Sequence, residues 1–156
     1  MMASTLISFL QALALLVLSL VVGAMFGVWR GFNPAIFSPA TFVEVQQGAI
    51  RGLNVLLPAM GAISIVTVLL LAFFGRGRPI VLSLYLAAAA AMIVAGLVTR
   101  FGNQPINAMV MSWSTLPPAG WETLRDSWWS WHLVRLAAGI VAELLLITAV
   151  FADRSS

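Results

Sequence analysis

The sequence predicts an all-α integral membrane protein, a four-helix bundle with a polar and tryptophan-rich layer gathered at one membrane face. Composition is the first observation: 62% of the 156 residues are hydrophobic and 8% charged, with a mean hydropathy of +1.03, more apolar surface than a soluble domain of this length can hide. The second is arithmetic. A hydrocarbon core of ~30 Å needs about 20 apolar residues per helical crossing, so four spans and two longer connections nearly exhaust the chain as a single domain. The third is the position of the polar residues, which cluster near two of the span ends instead of spreading along the chain.

Taken in order, the spans are expected over residues 6–29, 55–74, 80–98 and 133–151. Residues Met1 to Thr5 carry no Lys or Arg, and the apolar run outlasts the hydrophobic region of a secretory leader, so the first stretch reads as a retained helix. It closes on Trp29 and Arg30, residues typical of an interface, and its Gly23/Gly27 pair predicts close approach of a neighbouring helix. Asn33-Pro34 and Ser38-Pro39 make a loop. A helix restarts either at Ser38, with Pro39 in its first turn, or at Thr41 through a capping box closed by Glu44. The helical pattern then runs from Val43 to Phe74, with a kink expected at Pro58 between a polar half and an apolar half.

Gly75 to Pro79 is a short charged turn before the third span, whose alanine run from Ala87 to Ala91 should pack closely against a neighbour. Residues Arg100 to Ser127 are too polar for lipid. Asn103 is expected to cap a short helix over Met109 to Trp113, with Pro105 in the first turn and Pro117-Pro118 ending it. A last helix should begin near Gly120 and continue from Trp121 through Phe151.

Several functional classes are excluded. The net charge of +3 is carried entirely by arginine without a basic run, so nucleic acid is not an expected partner. Cysteine is absent, which removes disulfides, thiolate catalysis, iron–sulfur clusters and thiolate-bound zinc from this chain. With one histidine, neither a tetrahedral zinc site nor a 2-His-1-carboxylate iron site can be assembled, so no metal site is expected. Haem held by His132 alone is chemically open, yet no second ligation signature accompanies it, and no cofactor is expected. Phosphate loops, nucleophile elbows and dinucleotide fingerprints are all missing.

What remains is a pair of polar stripes. Trp121, Arg125, Trp128, His132 and Arg135 are separated by steps of four and three residues, and at ~100° per residue they fall within an arc of about 80° on one helix face. Glu143 lies on that arc, deeper in the membrane, as the expected counterion of a buried arginine. Glu44, Gln47, Arg51 and Asn54 repeat the rhythm on the second helix. Ionisable groups facing lipid cost about 2.5–3.5 kcal/mol each on insertion scales, so the two stripes should face one another. For Trp29, Trp113 and Trp129 the expected role is interfacial anchoring, and for Arg125, Glu122 and Asp126 a solvated salt bridge at the helix start. An intramembrane histidine is a functional candidate, with a structural hydrogen bond as the alternative.

Asn103-Gln-Pro-Ile-Asn107, followed by Trp121, Arg125, Trp128, His132 and Arg135 on a chain of this length with four spans, resembles the anthrone oxygenase-like family of small membrane proteins. The resemblance covers essentially the whole chain and is most specific from Asn103 to Arg135. It implies an integral-membrane protein whose fungal relatives oxidise anthrones to anthraquinones with dioxygen, without a conventional cofactor.

On that resemblance His132 is the expected base. Arg135, Asn103 and Asn107 would bind the developing enolate oxygen, and Trp121 and Trp128 would sandwich a flat ring system. Arg51 and Glu44 would close the pocket from the second helix, with Gln47, Asn54 and Arg100 as further substrate contacts. The alternative is a non-catalytic module that binds a lipid or quinone-like ligand, or an accessory subunit of a membrane complex. Expected partners are the bilayer and a hydrophobic aromatic molecule, and homo-oligomerisation stays open. Four crossings put both termini on one side, expected to be the cytoplasmic side of the cell membrane, with both longer connections opposite.

Overall fold

The computed structural model describes residues 2–154, with side chains from Ser4 onward. All regular structure among them is helical. Helix α1 covers Met2–Gly31, and a 3₁₀ turn at Pro34–Ile36 is capped by the Asn33 side chain, which accepts from the Ala35 N–H at 3.1 Å. Helix α2 runs over Pro39–Leu53. Its start is decided in favour of Ser38, whose hydroxyl accepts from the Thr41 N–H at 3.3 Å, because Pro39 has no N–H to leave unsatisfied in a first turn. Glu44 is therefore free of any capping duty and is exposed.

At the expected kink the helix is interrupted at Asn54 and Val55, both of which keep right-handed helical angles, and α3 then occupies Leu56–Phe74. Pro58 explains the location, since its ring clashes with the carbonyl four residues earlier and offers that carbonyl no donor. Helix α4, Pro79–Val98, leads without interruption through a π turn at Thr99–Asn103 into α5, Gln104–Met111. The expected helix start at Asn103 is thus corrected: Asn103 has helical backbone angles (φ −79°, ψ −43°) and makes no cap. Pro105 cannot donate to the Phe101 carbonyl, and a widened turn absorbs that mismatch where a chain break was expected. Gly120, at φ +77°, takes the left-handed conformation before α6, Trp121–Arg154.

Four of these segments are long and apolar enough to cross a membrane: Ser4–Ile36, Pro39–Phe74, Pro79–Met111 and Trp121–Arg154. Their outer faces carry large apolar side chains such as Phe9, Val66, Leu97 and Leu144, all more than half exposed. That is the surface of a protein dissolved in lipid. The most extensive packing joins α4 to α6, with α1 against α3 and α6. Ala88 and Ala89 of the alanine run are buried beside Ala142 and Leu146, as small residues at a helix crossing allow. The Gly23/Gly27 surface behaves differently: both glycines are exposed, and a Cβ at either would meet nothing within 4 Å. No neighbouring helix of the described chain uses that surface.

Each end of the bundle has its own polar cluster. At the end holding the α3–α4 turn, Gln11 donates to the Tyr85 hydroxyl at 3.3 Å and to Asp153 Oδ2 at 2.7 Å, Arg78 pairs with Asp153, and Arg154 Nε donates to Gln11 Oε1 at 3.2 Å. This cluster ties α1, α4 and α6 together. Glu143, expected as the counterion of an arginine, instead accepts from the Ser19 hydroxyl at 2.6 Å. The inward arginine on its helix, Arg135, lies more than two turns away and takes a different partner.

Candidate functional site

At the opposite end, the inward face of α6 builds the site. Trp121, Trp128 and His132 are buried and Arg125 and Arg135 partly buried, so the whole stripe points into the bundle. His132 is fully enclosed. Its ring packs against those of Trp128, 5.4 Å away and 5° from parallel, and Trp129, 5.5 Å away and tilted by 24°, which themselves lie 6.5 Å apart, so the three rings form a cluster. Arg135 Nε and Nη2 approach His132 Nδ1 at 3.1 and 2.9 Å, while Nε2 faces the Met25 carbonyl at 3.1 Å. A guanidinium can only donate, so Nδ1 holds the lone pair and Nε2 carries the hydrogen that goes to Met25. One imidazole tautomer is thereby selected by its surroundings.

The Arg135 guanidinium also sits 5.8 Å from the centre of the Trp128 ring. Trp128 Nε1 donates to Asn107 Oδ1 at 2.8 Å, and Asn107 Nδ2 donates to Asn54 Oδ1 at 2.9 Å, a chain linking α6, α5 and the end of α2. Asn103 takes no part in it. Fully buried, it donates to the Trp128 carbonyl at 2.9 Å and fastens the π turn to α6. That approach depends on Gly102: a Cβ there would lie 2.6 Å from Trp131 Cγ.

Between α1, the end of α2, the first half of α3, the end of α4 and α6 lies a cavity of about 340 Å³. Its deep wall is apolar, formed by Leu18, Val21, Met25, Ile50 and Met92. Its polar end gathers Asn54, Arg100, Gln104, Asn107 and Arg135, with Trp128 as an aromatic wall and the buried amide of Gln46 alongside. The volume is at the low end of the ~300–1,000 Å³ common for small-molecule pockets. An arginine at the polar end of an otherwise apolar space can hold an oxygen that carries, or develops, negative charge.

The sequence-derived candidates divide into two groups. Arg135, Asn107, Trp128, Asn54 and Arg100 line the cavity. His132 stands one contact behind it, reached through Arg135. Asn103 is behind Trp128, and Trp121 packs on Phe42 with ring centres 4.8 Å apart instead of forming one side of a sandwich. The polar stripe of α2 turns away from the cavity: Gln47 donates to the Val110 and Trp113 carbonyls, Arg51 donates to Gln47, and Glu44 borders a separate shallow cleft with Ser114 and Thr115. The two expected stripes are thus linked by hydrogen bonds only indirectly, from Asn54 through Asn107 to Trp128. The α2 stripe instead faces α5, on which α2 packs, and α2 presents Gln46, Ala49 and Ile50 to the cavity. Arg125 pairs with Asp126 at 2.8 Å, the expected helix-start bridge.

Gln46, Gln104, Met25 and Gly102 belong to the site or its support and were not singled out from the sequence. Gln46 could have been noticed, since Phe42, Val43, Gln46 and Ile50 trace the apolar face of α2 and only Gln46 is polar. Among the described residues no group of three or more His, Cys, Asp and Glu side chains could hold a metal ion.

Comparison of the chain with known proteins found no match among the curated proteins or the solved structures. The family model described as anthrone oxygenase matches residues 48–145, more than half of the chain, from the last turns of α2 into the membrane-embedded part of α6. That stretch contains every polar residue of the cavity except Gln46. With four apolar helices and this match, the chain is a multi-pass integral membrane protein that belongs to the anthrone oxygenase family.

Proposed function

We propose that the protein oxidises a flat, lipophilic aromatic ketone of the anthrone type with dioxygen, in the cavity between α3, α4 and α6 and without a bound cofactor. The observation that carries this reading is the Arg135 guanidinium, held by His132 Nδ1 at the polar end of an apolar cavity of about 340 Å³. An anthrone has a methylene whose proton is acidic because its loss gives an enolate spread over the fused rings. Arg135 and the Asn54–Asn107 amides line the same cavity and are donors suited to an enolate oxygen.

Arg135 and His132 act as one device. The guanidinium covers the Nδ1 lone pair in the structure. When it turns to the substrate oxygen, it gains an oxyanion partner and uncovers the base in the same movement. His132 then takes the methylene proton. The carbanion transfers its electrons to dioxygen and a carbon–oxygen bond forms, giving a hydroperoxide once protonated. Loss of water, using the remaining hydrogen on that carbon, leaves the second carbonyl. One dioxygen is consumed and one water released per quinone formed. The protein's part is orientation, an anion partner, a base and exclusion of water.

Oxygen uptake by the detergent-solubilised protein with emodin anthrone tests the reading: uptake well above a protein-free blank is expected, and equal rates would remove it. One observation favours a competing reading. Both His132 nitrogens are already engaged, as they would be in a module that binds a quinone-like molecule without changing it. Saturable anthraquinone binding together with blank-level oxygen uptake would decide for that alternative.

A further inference from the structure

The cavity has a mouth, and its position can be read from the exposure of its lining. Of all the residues that border the cavity, only Pro58, Ala62, Gly96 and Arg100 are exposed. Two come from α3 and two from the end of α4 and its π turn, and in each pair the residues are one helical turn apart, on one face. The helices are joined at their other ends by the tight turn at residues 75–78, so the opening lies where they are farthest along the chain from that junction. Small residues keep it open: a Cβ on Gly61 or Gly96 would meet nothing within 4 Å.

Around the mouth the surface is lipid-facing. Ile63, Val66, Ile93 and Leu97 are 50%, 57%, 43% and 51% exposed. Ala62 lies roughly 9 Å along the helix from the start of α3, at ~1.5 Å per residue, within the apolar part of the span. Arg100 marks the outer rim, at the level of the polar layer.

We infer that substrate reaches the site sideways from the bilayer, through the gap between α3 and α4, and that Gly61 and Gly96 admit it by being small. This rests on the oxygenase reading for the identity of the substrate, a flat aromatic ketone dissolved in the membrane. A lipid chain is the poorer occupant, because it would leave Arg135, Asn54 and Asn107 in the cavity lining without a polar match. A molecule with a carbonyl oxygen on a thin apolar body suits both the opening and the mixed lining behind it.

The test uses the full chain in liposomes and an anthraquinone as the probe, followed by quenching of tryptophan fluorescence after rapid mixing, since Trp128 lines the cavity. Gly61→Phe and Gly96→Phe should each slow association by about tenfold or more. Gly52→Phe, at an exposed α2 position with open space and no cavity contact, should not. Should the phenylalanine variants fail to fold, Ala62→Cys in this cysteine-free chain can be folded first and then capped with a bulky maleimide, with the rate compared before and after. Unchanged association after complete capping, or no quenching of the wild type at all, would overturn the inference. So would a native lipid that co-purifies with the wild type and is lost from the phenylalanine variants, which would make an acyl chain the occupant. Quenching involves no oxygen chemistry, so a wild type that binds through the gap yet consumes no oxygen would refute the oxygenase reading alone.

Discussion

Arg135 is the residue on which the proposed chemistry turns, because it lines the cavity and contacts the Nδ1 lone pair of the buried imidazole. Lysine at this position would keep a charge but lose the planar fork that now touches Nδ1 with two nitrogens. Arg135→Lys is therefore expected to lower kcat by roughly 10²–10³, the cost of removing an oxyanion donor, with a much smaller change in KM. Steady-state kinetics on emodin anthrone would check the split. Trp128→Phe should keep the ring wall and lose the hydrogen bond to Asn107, destabilising the protein by about 1 kcal/mol in thermal unfolding. At this scale much was legible, since the four- and three-residue steps placed Trp128, His132 and Arg135 on one inward face. Spacing alone could not reveal that His132 would sit behind Arg135, because that order depends on the Met25 carbonyl from a distant helix.

Among the elements, the π turn between α4 and α5 shapes the site directly. It carries Arg100 to the rim of the cavity and aims Asn103 at the Trp128 carbonyl. π turns are uncommon and often mark functional positions. Gly102→Ala should cost about 1–3 kcal/mol, as overpacking does, because the new methyl would press on the Trp131 ring and backbone or ring must shift. Gly61→Ala, where the space is open, serves as the control in the same unfolding measurement. The break near Pro58 could be anticipated from one residue. The π turn could not, since Asn103 with Pro105 two residues on satisfies the local rules for a helix start just as well. Only the continuous packing of Thr99 to Asn103 against α6 distinguishes the two.

Across the whole molecule, two polar clusters at opposite ends hold an apolar bundle. The four spans and the membrane environment were legible because hydropathy sums over about 20 residues at a time and is insensitive to local detail. Which polar stripes would meet was not, because that depends on α2 packing against α5, a contact between segments distant in sequence. Asp153→Ala would remove the shared acceptor of Gln11 and Tyr85 and the partner of Arg78. It should loosen the end away from the cavity by about 1–3 kcal/mol while leaving anthraquinone affinity nearly unchanged. Single cysteines in place of Arg76 and Ser114, in the α3–α4 turn and the connection before α6, are expected to react with a membrane-impermeant maleimide from opposite sides. The most direct measurement is a parallel assay of quinone formed and oxygen consumed with emodin anthrone, comparing wild type with His132→Ala. The expected result is one quinone per dioxygen at a rate far above the blank, falling toward the blank in the variant; identical rates for wild type, variant and blank would contradict catalysis in this cavity.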